Sequence, residues 1–183
     1  MEHYTLHNPD ESISSKKYDF CPTVPFRLVV AGSSESGKTK MIKYRRMETM
    51  EKTKDKEAPW YEDICFKIIT PDKLPDISKF KNTGRKRLLV FDDLAGEPLS
   101  TQLKIIPFFR SGRHNNISSI FIGQRYFEIN QNIRGNVTHI SAHRGFGTLD
   151  SIKRVLKDMY NDYKSLAKKV YEVIKKHYVI IDI

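Results

Sequence analysis

The chain has 183 residues, of which 39% are hydrophobic and 30% charged, and a formal charge of +10. That length suits one domain with a real core, and no apolar run is long enough to span a bilayer as a helix. The basic balance points to a polyanionic partner, although lysines that only solvate helix faces would give the same sum.

In chain order, residues 1–20 are polar and mixed in charge, which predicts a flexible arm without a signal peptide ahead of a single domain over 21–183. The isolated Cys21 and Cys65 have neither metal-ligand spacing nor the makings of a disulfide framework, so a reducing compartment is expected. Residues 26–31 read as a buried strand. It runs into Gly32-Ser33-Ser34-Glu35-Ser36-Gly37-Lys38-Thr39, which fits the phosphate-binding pattern G-x-x-x-x-G-K-[ST] without a mismatch. Residues 41–50 read as a helix leaving it, and the loop works only at such a strand-to-helix turn. Gly32 and Gly37 let the backbone turn tightly and bring N–H groups up to phosphate oxygens. The helix N-terminus adds partial positive charge at the same place. Lys38 carries a full charge to the β- and γ-phosphates of ATP, and the Thr39 hydroxyl can ligate Mg²⁺. The plain alternative is a glycine- and serine-rich surface turn followed by a lysine.

A charged stretch over 51–62 reads as an exposed connection, followed by a strand at 64–69 that Pro71 and Pro75 terminate. Residues 87–91 read as a strand running into Asp92-Asp93, the Walker B arrangement. It is expected beside the phosphate loop, with Asp92 and Thr39 on Mg²⁺ and Asp93 orienting and deprotonating the attacking water. Many ATPases of this type carry Glu at the second position. Asp93 is one methylene shorter, so the water must sit closer or the backbone must shift. Without a nucleotide, the pair would be an acidic turn capping a core strand.

Phe109-Arg110-Ser111-Gly112-Arg113-His114-Asn115-Asn116 follows. Phosphoryl transfer builds charge on the γ-oxygens, and an arginine from a neighbouring subunit can stabilise it, worth about 10³–10⁵ in rate. Arg113 is the first candidate and Arg110 the second; the alternative is surface arginines at a helix end. The strand at 118–123 ends in Gln124. Placed between the two motif strands, it would aim an amide at the γ-phosphate and the water. Otherwise Gln124 would simply bond a loop backbone. A strand at 137–142 carries His139, and His143 follows, without ligand spacing for zinc. Residues 149–176 keep one apolar helical face and one lysine-rich face, which predicts a single long amphipathic helix, capped by Thr148 or Asp150. That helix packs on the sheet, or alternatively faces a subunit or DNA. A final strand is expected at 178–182. Alternating strands and helices argue for a layered α/β domain with a mostly parallel sheet.

The order of these features resembles the FtsK/HerA superfamily of DNA-pumping ATPases: phosphate loop, paired acids, G-R-H before a strand, Gln at its end, then Ile133-Arg134-Gly135-Asn136. More closely it resembles the poxvirus-type genome-packaging ATPases of large DNA viruses and related elements. The stretch from Arg113 to Tyr126 is the most telling, and the resemblance covers roughly 26–142. It implies a RecA-like core with the Gln-bearing strand between the two motif strands, and Gln124 and Asn136 as sensors. It also implies a homo-oligomeric ring of five or six subunits with ATP at the interfaces, and an arginine of the G-R-H turn reaching the neighbour's nucleotide. It further implies double-stranded DNA threaded through that ring into a capsid, with a capsid or portal protein as partner. The expected location is the host cytoplasm or viral factory, with the virion as a further site, and not secretion. A bare motor without a large extra domain is expected.

Two rival readings stand beside this one. A GTPase would want N-K-x-D, which is absent from the sequence, and a small-molecule kinase would want a lid and an acceptor pocket. A DNA-binding assembly protein with a degenerate site would bind DNA without ATP turnover; intact Lys38, Thr39 and Asp92 oppose it.

Overall fold

The computed structural model describes residues 4–6, 24–38, 41, 68–80, 84 and 86–183. Among them, six strands form one sheet: β1 (Tyr4–Leu6), β2 (Arg27–Ala31), β3 (Arg87–Asp92), β4 (Ile117–Gly123), β5 (His139–Ala142) and β6 (Val179–Asp182), in the order β1-β6-β5-β2-β4-β3. Every neighbouring pair is parallel except β5 with β6. Besides the start of a helix after β2, four α-helices lie wholly among these residues: α1 (Leu99–Arg110), α2 (Gln131–Arg134), α3 (Leu149–Leu156) and α4 (Tyr163–Val173).

The centre of the sheet follows from side-chain alternation. On β2, Val29 and Ala31 enter one buried cluster with Phe91, Phe109 and Phe121, while Leu28 and Val30 enter another with Met41, Ile120 and Ile122. A strand with apolar residues on both faces belongs inside a sheet covered on both sides. β4 is the clearest case, with all seven residues buried. Its serines are satisfied internally: Ser118 Oγ accepts from Phe26 N–H at 3.2 Å, and Ser119 Oγ donates to Phe108 O at 3.3 Å.

As the resemblance implies, β4 lies between β2 and β3 and pairs with both, and the acids ending β3 still meet the phosphate loop. Three expectations need correction. The long helix expected over 149–176 is two helices packed against each other, α3 and α4, with a turn between them. Asp158, Asn161 and Asp162 fall in that turn, and their short polar side chains compete with helical backbone bonding. Folding back also lets Ile152 and Leu156 of α3 and Ala167 and Val170 of α4 enter one core. Within the expected loose arm, Tyr4–Leu6 is a strand parallel to β6. Finally, Ile68 and Ile69 are not in a strand.

Residues 64–67 of that last expectation, the connection over 51–62, Cys21, Cys65, Thr39 and residues 42–50 lie outside the described residues. The helix expected after the phosphate loop is seen at its start, where Met41 N–H donates to Gly37 O at 2.8 Å, the i to i−4 spacing of an α-helix. Thr148 caps α3, its Oγ1 accepting from Ser151 N–H at 3.2 Å.

Candidate nucleotide site at the ends of the parallel strands

Parallel sheets bind ligands beyond the carboxyl ends of their strands, and β2, β4 and β3 end side by side. Ala31 pairs with Gly123, and Asp92 with Ile122. The residues just beyond are therefore Gly32, Gln124 and Asp93. Two backbone bonds tie these ends together: Gly32 N–H to Gly123 O at 3.3 Å and Asp93 N–H to Ile122 O at 3.0 Å. Between them opens a cleft of about 310 Å³, lined by Ser34, Glu35 and Lys38 of the loop, by Asp92 and Asp93, and by Ile122, Gly123 and Gln124.

The loop owes its shape to particular residues. Gly37 has φ 88°, a left-handed conformation that a side chain disfavours. Gly32 is required by proximity: a Cβ there would stand 2.6 Å from His143 Cβ, 2.7 Å from Ser36 Oγ and 2.9 Å from Arg144 O. Lys38 curls over the loop, its Nζ donating to Gly32 O at 2.6 Å and Ser33 O at 2.7 Å. Partial burial lowers the pKa of this ammonium, while the Asp93 and Asp92 carboxylates pull it the other way.

Across the cleft, Asp93 has φ 54°, an uncommon left-handed setting that Asp tolerates better than most residues. Gln124 Nε2 donates to Asp93 Oδ2 at 3.4 Å. The amide and the second acid therefore face each other, with Lys38 on the same cleft.

Not every candidate reaches the cleft. The N–H groups of Gly32 and Ser33 are engaged elsewhere, that of Ser33 by Arg144 O at 2.7 Å. Those two residues therefore shape the loop rather than offer it to a phosphate. Arg113 lies in the turn Gly112–Asn115, immediately before β4 begins. It is close enough to Arg27, at the start of β2, to lower that guanidinium's pKa, second to burial. At about 3.3 Å per residue, β4 separates that end from the cleft by roughly 20 Å. Arg110, closing α1, follows Phe109, whose carbonyl accepts from Arg27 Nη1 at 3.3 Å, and so is on the same far side. Neither arginine can touch a nucleotide held by its own subunit. Asn136 is also remote. It lies between α2 and β5, donates to Asn132 O at 2.8 Å, and is close to Thr138, whose N–H bonds Arg27 O at the amino end of β2. The sensor position expected for it is not in this subunit's cleft.

One component of the site has no motif to announce it. Residues 143–147, which follow β5, dock behind the phosphate loop. Ser33 N–H and Oγ both donate to Arg144 O, at 2.7 and 3.1 Å. His143 is 1% exposed, with Nδ1 3.1 Å from Ser36 O and Nε2 3.1 Å from Ser141 Oγ. Burial, and then the charge of Lys38, push its pKa down to about 4, against an opposing contribution from the Ser36 bond. The available signal was Arg144-Gly145-Phe146-Gly147, two glycines around an aromatic at the end of a strand.

A phosphate loop after β2, paired acids at the end of β3, and an amide-bearing β4 inserted between them define a P-loop NTPase of the additional-strand class. Within that class, the chain belongs to the poxvirus A32 protein family, whose profile matches residues 65–181. The genome-packaging NTPase B204 from Sulfolobus turreted icosahedral virus 2, solved with ATP-gammaS, is similar in fold at TM-score 0.54 and 13% identity, over 86% of this chain and 92% of that one. The same protein with sulfate gives TM-score 0.55 and 15% identity, over 88% and 92%. B204 from Sulfolobus turreted icosahedral virus, described as a DNA-packaging ATPase, gives 0.55 and 14%, over 87% and 93%. No curated protein matches the sequence. Among the described residues, no helix is long and apolar enough to cross a membrane.

Proposed function

We propose that this chain is an ATP-hydrolysing motor that moves double-stranded DNA into a viral capsid. The observation that carries the reading is the meeting of Lys38, Asp92, Asp93 and Gln124 on one cleft at the ends of three parallel strands. Family membership and the likeness to packaging NTPases support it.

Each side chain has a task that its chemistry suits. Ser34, Glu35, Gly37 and Lys38 cradle the phosphates with backbone N–H groups, the Ser36 N–H being held by Ser33 O, and Lys38 exchanges its carbonyl partners for phosphate oxygens. Asp93 accepts a proton from the attacking water, and Gln124, bonded to Asp93, orients that water and reports the γ-phosphate. Two adjoining carboxylates facing a phosphate loop suit Mg²⁺, which prefers hard oxygen donors and is bound by one or two carboxylates plus substrate phosphates. Asp92 and Thr39 are the residues that would hold it, and when bound it neutralises charge on the β- and γ-oxygens. Arg113, or Arg110 second, serves the site of the next subunit in a closed homo-oligomeric ring of five or six. DNA is gripped by its phosphates, so contact is salt-sensitive and independent of sequence. A capsid or portal protein receives the ring, in the host cytoplasm, the viral factory or the virion.

The test is ATP turnover with and without long double-stranded DNA, for wild type and Lys38→Ala, with GTP as competitor. DNA should stimulate hydrolysis by wild type and not by the mutant. Turnover indifferent to DNA, or unaltered by Lys38→Ala, would overturn the reading.

A further inference from the structure

We propose that His143 and the loop it heads are positioning elements of the nucleotide site, with His143 holding the Ser36 carbonyl so that the Gly37 N–H faces the phosphates. The inference rests on the nucleotide-binding reading above and deepens it.

The hydrogen-bond inventory assigns the ring's state. Ser36 O can only accept, so Nδ1 of His143 carries the proton and donates to it across 3.1 Å. In a neutral ring Nε2 then accepts, and Ser141 Oγ, 3.1 Å away, donates. Ser141 is fully buried on β5, so the far side of the ring is anchored to the sheet. Tyr178 stacks on the imidazole at 5.1 Å with an interplanar angle of 15°. The ring is thus fixed by two bonds and a face.

A fixed ring fixes a peptide. The peptide unit is planar and trans, so its C=O and N–H point in opposite directions. Turning the Ser36 carbonyl back to His143 therefore turns the Gly37 N–H forward. The adjacent residues hold the other end of the loop. Ser33 gives its N–H and hydroxyl to Arg144 O, and Gly145 lies so close that a Cβ there would meet Ser33 Cβ at 2.5 Å. Phe146, 1% exposed and stacked on Tyr126 at 5.1 Å, anchors this loop in the core. The phosphate cradle is clamped from behind at Ser33 and at Ser36.

Affinity for a fluorescent ATP analogue, kcat and KM, and the melting temperature test this in His143→Phe, His143→Asn and Gly145→Ala. Phe keeps the stacking face but lacks the donor, whereas the Asn amide supplies an N–H at the place of Nδ1. His143→Phe should weaken nucleotide binding about tenfold and raise KM more than it lowers kcat, the pattern of lost uniform binding. His143→Asn should recover most of that loss, and Gly145→Ala should weaken binding by displacing Ser33. The inference is overturned if His143→Phe binds like wild type, or if Asn and Phe lose affinity equally. Should His143→Phe not fold, an Asn variant as weak as Gly145→Ala overturns it. Wild type that binds no adenine nucleotide would instead sink the proposed function itself.

Discussion

Gln124 Nε2 stands 3.4 Å from Asp93 Oδ2, so the amide ending β4 is bonded to the acid following β3. The amide has two donors and one acceptor, and it can bond Asp93 and a γ-phosphate together only in one orientation. In the proposed mechanism Gln124 therefore reports the γ-phosphate to Asp93. Gln124→Ala should lower kcat about 10²–10³-fold, the usual cost of removing one preorganised donor. Nucleotide affinity should fall far less. Single-turnover hydrolysis beside equilibrium binding checks this, and equal losses in both would assign Gln124 to binding.

Arg113 lies at the amino end of β4, and the cleft at its carboxyl end. Any catalytic role must therefore be exercised on a neighbour. Arg113→Ala should bind nucleotide normally and lose about 10³–10⁵ in turnover. Rings mixed from Arg113→Ala and Lys38→Ala subunits should regain activity wherever an intact loop meets an intact arginine. Mixed rings as inactive as either parent would remove the support for action in trans.

Gly32→Ala should damage the site from behind. Its Cβ would fall 2.6 Å from His143 Cβ and 2.9 Å from Arg144 O, neither of them the free end of a flexible side chain. Overpacking of this kind costs about 1–3 kcal/mol, so the melting temperature should fall along with ATP affinity. A variant that melts like wild type would show that the two loops are not in contact.

His143 should make stability depend on pH. Its pKa is lowered from 6.5 to about 4 in the fold, so the unfolded chain binds more protons between those values, and stability rises with pH there. The contribution is complete above 6.5 and is lost as pH falls toward 4, about 3 kcal/mol across the window. Carboxylates titrate in the lower part of that range too, so the measurement is a difference. Denaturant unfolding of wild type minus His143→Phe should show this slope, and parallel curves would contradict it.

The motifs were legible because each is local. Gly37 and Lys38 are consecutive, as are Asp92 and Asp93 at the end of β3, and each short run states its chemistry by spacing alone. Strands with apolar residues on both faces, such as Ile117–Gly123, were equally plain. Strand order was not in the residues themselves: proximity of β3 to the phosphate loop was expected, whereas the inserted β4 followed only from family resemblance. The break between α3 and α4 was hidden because apolar spacing continues through Met159 and Tyr160, and only the Asp and Asn residues interrupt it. The His143 clamp joins residues 107 apart in sequence. No periodicity links such pairs, and a lone histidine after a strand says nothing of what lies behind it.

The most direct measurement is the structure of the chain crystallised with Mg²⁺ and ATPγS. The account predicts the γ-phosphate within hydrogen-bond reach of Lys38 Nζ and Gln124, the metal on Asp92 and Thr39, and Asp93 facing the water position. A nucleotide bound elsewhere, or a triphosphate in the cleft with Asp92 turned away from the metal, would contradict it.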